Sequence, residues 1–196
     1  MLGIGLVLCA ALLSILMPWS GASAQAKWFK AFTVLFFALL WIPVGTANIP
    51  VVAYVRGITA DLSMTLISLA IWRMAHLARS WRAMPKREEL AVMTGVALAA
   101  LVLYPSALGW GDWDTYRPGW GSWGMLLTLL LISGACWVNG LRVVPALVAL
   151  SLLAWSFGLM ESTNLWDYLL DPWLSIYALC FVFIKCAQAV FRRFVR

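Results

Sequence analysis

The residues best equipped for recognition chemistry fall in three short segments. The densest is Trp110-Gly-Asp-Trp-Asp-Thr-Tyr-Arg-Pro-Gly-Trp-Gly-Ser-Trp123, with four Trp, two Asp and one Arg in fourteen residues. Indole faces can stack on a sugar or lipid headgroup there, while Asp and Arg hydrogen-bond its polar edges. Trp113, Asp114, Tyr116, Arg117 and Trp120 are the candidate ligand-binding residues of this segment. The second segment, Tyr54-Val-Arg-Gly-Ile-Thr-Ala-Asp61, adds Arg56 and Asp61. Each arginine needs a partner. Either it pairs with Asp61, Asp112 or Asp114, or its planar guanidinium fork grips a lipid phosphate. The third segment, Glu161-Ser-Thr-Asn-Leu-Trp-Asp-Tyr-Leu-Leu-Asp-Pro172, reads as a short interfacial helix stopped at Pro172. Asp167 and Asp171 would share one face of it.

The same inventory argues against catalysis. There is one histidine, His76. It cannot supply a His-rich metal centre or a haem held by two histidines within one chain, and it lies away from all three segments. No GxSxG, HExxH or P-loop pattern occurs. The cysteines, Cys9, Cys136, Cys180 and Cys186, sit in apolar runs without a CxxC, so buried free thiols are expected. No catalytic residue, metal ligand or cofactor is assigned.

Composition dictates what must position these segments. Of the 196 residues, 64% are hydrophobic and 11% charged, and the mean hydropathy is +0.90. A soluble chain of this length could not hide so much apolar surface from water. The bilayer must be part of its solvent. Seven apolar stretches are candidate spans: 2–19, 28–46, 60–79, 89–108, 121–138, 143–160 and 172–190. The fifth and sixth are joined by the tight turn Asn139-Gly-Leu-Arg142 and read as a helical hairpin, with Pro145 in the first turn of the second helix. Asn48, between Pro43 and Pro50, marks a broken outer end of the second span. The expected architecture is all-α: one transmembrane domain over residues 1–196, a polytopic bundle of about seven spans.

Charge orients the bundle. With the N-terminus outside and the C-terminus inside, twelve of the fourteen basic residues fall inside, leaving only Arg56 and Arg117 outside. That is the alternation the positive-inside rule demands. It also accounts for the net charge of +6 without nucleic acid as a partner. All three segments then face outward. Ala22-Ser-Ala24 looks like a signal-peptidase site, but no Lys or Arg precedes the first apolar run, so a retained first helix is expected, with a cleaved signal peptide as the alternative. Many of the thirteen Trp fall near span ends, as an aromatic belt would place them. No Asp or Glu lies in the middle of a span, which argues against an ion-coupled transporter.

Two of the motifs have a family likeness. Arg56-Gly57…Asp61-Leu62 and Asp112-Trp-Asp-Thr-Tyr116-Arg117 resemble the two outer-loop motifs in the membrane domain of lipoteichoic-acid-synthase and phosphoethanolamine-transferase type enzymes. The resemblance covers residues 28–172. It implies a five-span headgroup-facing module, with Arg56, Asp61, Tyr116 and Arg117 as structural or lipid-contact positions. It departs after residue 172, where that family places an outer catalytic domain and this chain enters another apolar stretch. The apparatus of that domain is not carried over. The leading expectation is a non-enzymatic inner-membrane subunit of bacterial envelope biogenesis. Its partners would be membrane lipids and either another membrane protein or further copies of itself. A small facilitator or lipid flippase, and a scaffold subunit without a ligand, are the alternatives.

Overall fold

The computed structural model describes residues 1–16, 25–78 and 81–194. Among these, the structure is all-helical apart from one hairpin of two-residue strands. Trp19 and the Ala22–Ala24 tripeptide lie outside the described residues. The chain divides into two compact units. One comprises Met1–Leu62 and Leu66–Ala83, the other Ser63–Thr65 and Met84–Arg196.

The first unit contains α1 (Leu2–Leu16), α2 (Gln25–Leu39), α3 (Val51–Thr59) and most of α4 (Met64–Leu77). Ile4, Leu40, Val52 and Leu62 form its buried cluster. Gly3 and Gly5 let Ile67 and Phe37 approach the α1 backbone, where a Cβ would collide with either side chain. The second span was expected to run to residue 46, but α2 stops at Leu39. Pro43–Val44 and Ile49–Pro50 pair instead as an antiparallel hairpin, β1 and β2, with Asn48 at φ +50° in its turn. The break at Asn48 is therefore a complete chain reversal. Helix α3 was not anticipated. It starts directly after Pro50 and places Val51, Val52 and Val55 on the apolar cluster.

The second unit contains α5 (Lys86–Ala107), α6 (Trp123–Val138), α7 (Val143–Ser156), α8 (Leu165–Leu169) and α9 (Pro172–Phe194). Helix α5 packs along α9, and α7 packs against α5, α6 and α8. The α6–α7 hairpin forms as expected. Ser122 caps α6 by accepting from Met125 N at 3.2 Å. At the other end Gly140 takes φ +75°, and Leu141 N returns to Cys136 O at 2.9 Å. Glycine suits this left-handed position because a Cβ would crowd the carbonyl.

Two buried carboxylates tie these helices together. Glu88 of α5 accepts from the backbone N–H groups of Arg142 (2.7 Å) and Val143 (3.1 Å), and so caps α7 from a neighbouring helix. Asp171 accepts from Ser63 N (3.0 Å), Ser63 Oγ (2.6 Å) and Leu174 N (3.0 Å), which caps α9 and holds Ser63. The expected shared face of Asp167 and Asp171 does not exist. Helix α8 ends at Leu169, and Leu170 is extended (φ −150°, ψ 154°), which turns Asp171 to other partners.

Each of the seven expected stretches contains a helix. Two among the described residues are long and apolar enough to cross a membrane, Lys86–Ala107 and Pro172–Arg193, with 22 residues each. At 1.5 Å per residue each spans about 33 Å, against a hydrocarbon layer of about 30 Å. The apolar helices α1, α4, α6 and α7 have 14 to 16 residues, or about 21–24 Å. Turn chemistry bounds three of them, α4, α6 and α7. Met64 follows the Asp61–Ser63 turn, Ser122 starts α6, and Gly158 at φ +60° closes α7. Of the four cysteines, all free, Cys9 is buried and Cys136 half-buried, but Cys180 and Cys186 are exposed on α9 rather than buried.

Candidate functional site

The loop between α5 and α6 is held by its own polar side chains. Asp114 Oδ1 accepts from the backbone N–H groups of Tyr116 (3.1 Å) and Arg117 (3.0 Å), so this oxygen shapes the turn. Residues Arg117–Trp120 form a single 3-10 turn ended by Gly121 at φ +89°. The turn rests on the α7–α9 connection. Asn164 Nδ2 donates to Tyr116 O at 3.1 Å, and Trp166 Nε1 donates to Thr115 O at 3.0 Å. Gly119 lies so close to Asn164 and Trp166 that a Cβ there would overlap the Asn164 amide.

Beneath the turn is a second polar knot. The Tyr116 hydroxyl donates to Asp167 Oδ2 at 2.6 Å, and Ser162 Oγ donates to the same oxygen at 2.5 Å. Burial pushes the Tyr116 phenol up to about 12, and its hydrogen bond to the Asp167 carboxylate and that group's charge add to the rise. Tyr116 therefore stays neutral and donating at physiological pH. Its hydroxyl is engaged within the protein, and its ring meets Trp120 edge-on at 6.3 Å.

This geometry separates the candidate residues into groups. Arg56 and Asp61 belong to the first unit. There Arg56 Nε and Nη2 donate to the two carboxylate oxygens of Asp61 at 2.9 and 3.2 Å. The backbone explains the pairing: α3 ends as Ala60 adopts φ +57° and its N–H returns to Arg56 O, bringing Asp61 back over Arg56. In the second unit, Asp114, Arg117 and Trp120 line one open depression of about 540 Å³ with Pro118, Gly121 and Ser122. Arg117 is exposed. Among the described residues its guanidinium has no hydrogen-bond or ion-pair partner. Trp113 stands outside the depression with 82% of its surface exposed.

Sequence reasoning missed what lies below the depression. The facing sides of α5 and α6 border an apolar crevice of about 560 Å³, floored by α7 and α8. Pro118 and Ser122 line both the crevice and the depression, so the two adjoin at these residues. Four polar side chains line the crevice, and each is satisfied internally. Ser122 Oγ caps α6, Thr128 Oγ1 donates to Gly124 O at 2.8 Å, and Trp166 Nε1 is held by Thr115 O. Ser151 Oγ gives its proton to Tyr168 O at 3.1 Å, so Thr65 Oγ1 donates to Ser151 Oγ at 3.4 Å. The signal in the sequence was the small pair Gly95 and Ala99, one turn apart on α5.

Fold and site together define a helical protein with membrane-length apolar helices and a depression lined by Asp114, Arg117 and Trp120 beside an apolar crevice. No family model, curated protein or solved structure matches the chain. The membrane-domain resemblance thus continues to rest on its two short motifs.

Proposed function

We propose that the protein is a non-enzymatic integral membrane subunit that binds a lipid or lipid-linked headgroup at its outer face. On this reading all seven apolar stretches are embedded, with the N-terminus outside and the C-terminus inside a bacterial inner membrane. The shorter helices are met by local thinning of the bilayer. The Trp110–Trp123 loop then lies at the outer interface, where its exposed indoles are most stable.

One observation carries the reading: the Arg117 guanidinium, without a partner among the described residues, lines a depression that adjoins an apolar crevice. A cation above a hydrocarbon-lined cleft matches an amphiphile with an anionic head. Trp120 supplies a stacking face. Asp114 Oδ2 is left to accept from a headgroup hydroxyl or amine, since the turn uses Oδ1. The crevice offers no unsatisfied polar side chain, which weighs against a headgroup moving through it and hence against the flippase reading. Envelope biogenesis and a membrane-protein partner remain part of the proposal through the two-motif resemblance.

The test is native mass spectrometry of the protein extracted gently from its membrane. Wild type should carry a bound lipid, Arg117→Ala should lose most of it, and Arg82→Ala, on the expected inner side, should not. Equal retention by all three proteins would refute an Arg117 headgroup site.

A further inference from the structure

We infer that the α5–α6 crevice houses one hydrocarbon chain of a bilayer phospholipid, entered sideways from the membrane. The inference deepens the headgroup reading and rests on its membrane placement, but its test does not depend on Arg117.

Three observations specify the occupant. First, the lining is chemically hydrocarbon-like. Its aliphatic surface comes from residues such as Val96, Val102, Leu129 and Ile132, and its few polar groups are already bonded within the protein. A polar ligand, or the exposed backbone of a peptide, would find no partner there and would be costly to bury. Water gains little in such a space. Second, the crevice has the extent of one chain. From Val92 to Val102 α5 rises about 15 Å, half of the roughly 30 Å hydrocarbon layer and so about one leaflet deep. Third, at Pro118 and Ser122 it adjoins the depression lined by Arg117, Asp114 and Trp120. A phospholipid joins its head to its tails at the same boundary.

The sequence keeps this space open. Gly95 and Gly124 face it, and a Cβ added at either would meet nothing within 4 Å. A side chain can therefore leave the α5 backbone at Gly95 without its Cβ striking a neighbour. Gly95→Trp should fill the crevice, and Gly95→Leu should fill part of it.

The experiment uses the full chain in phosphatidylglycerol vesicles that carry a photoactivatable diazirine midway along one acyl chain. After photolysis, adducts are mapped by peptide mass spectrometry. The lipid-exposed residues Leu98, Leu101 and Leu130 provide the reference for ordinary bilayer contact. Adducts on Val96, Ala99, Leu129 and Ile132 should exceed that reference in wild type. They should fall several-fold in Gly95→Trp and by less in Gly95→Leu, while the reference adducts stay unchanged. Arg117→Ala should leave crevice labelling in place even if it abolishes headgroup retention, which separates the two claims. Crevice labelling no greater than the reference, or labelling unaffected by both Gly95 variants, would overturn the inference.

Discussion

Removing the Glu88 carboxylate should loosen the second unit far more than its place at the start of a charged segment suggests. Glu88 is 8% exposed, and both its oxygens accept backbone N–H groups at the start of α7. Arg142, at the cap position itself, provides no side-chain cap. In Glu88→Ala two amide donors lose their acceptor. A hydrogen bond to a charged group contributes about 1.5–3 kcal/mol, and an interfacial site regains part of that from water. A loss of about 2–4 kcal/mol follows, at the upper end of what helix caps are worth or beyond it. Glu88→Gln keeps one acceptor oxygen and should lose about half as much. Arg87→Ala, next door and exposed, should stay within about 0.5 kcal/mol of wild type. Thermal unfolding in a mild detergent, followed by far-UV circular dichroism, ranks the three variants. If Glu88→Ala melts together with Arg87→Ala, the interhelical cap contributes nothing and the reasoning fails.

Other consequences follow from the same contacts. Asp171→Ala leaves Ser63 N, Ser63 Oγ and Leu174 N without their acceptor and should cost about 3 kcal/mol or more, measured by the same melts. Gly119→Ala drives a methyl into Asn164 and should cost about 1–3 kcal/mol, whereas Gly134→Ala, in open space on α6, should gain about 0.5–1 kcal/mol from helix propensity. The raised pKa of Tyr116 gives a pH signature. The folded state holds that proton from the ordinary phenol value of 10 up to about 12, so the stability from the Tyr116–Asp167 bond is complete below pH 10 and is lost as pH rises through about 12. Ultraviolet titration should show one tyrosinate forming only near the top of that range. It should vanish in Tyr116→Phe and move to lower pH in Asp167→Asn.

Much of this architecture was legible in the sequence because hydrophobic runs and turn residues are local signals. The α6–α7 hairpin could be placed from Asn139-Gly-Leu-Arg142 alone, since Gly140 ends one helix and Pro145 suits the first turn of the next. Helix α3 was hidden because nine residues between Pro50 and Ala60 are too few to show a clear period. The Arg56–Asp61 pair could be foreseen as one of four options for that arginine, three acidic partners and a lipid phosphate. That Asp61 was the partner required the left-handed Ala60, which no propensity predicts. The Tyr116–Asp167 bond joins residues 51 apart and the Asp171–Ser63 bond residues 108 apart, so neither leaves a spacing to read. The crevice is harder still. It depends on which helix faces fail to meet, and Gly95 and Ala99 could equally have marked a tight helix crossing.

The central claim is contact between Arg117 and a lipid phosphate. Nitrogen-15 to phosphorus-31 dipolar dephasing by solid-state NMR reads it directly, with arginine labelled and the protein reconstituted in phosphatidylglycerol. Other arginines will contribute to the signal, so the informative quantity is the difference between wild type and Arg117→Ala. The account predicts strong dephasing of one guanidinium in wild type that is missing in the variant. Identical dephasing in the two proteins would contradict it.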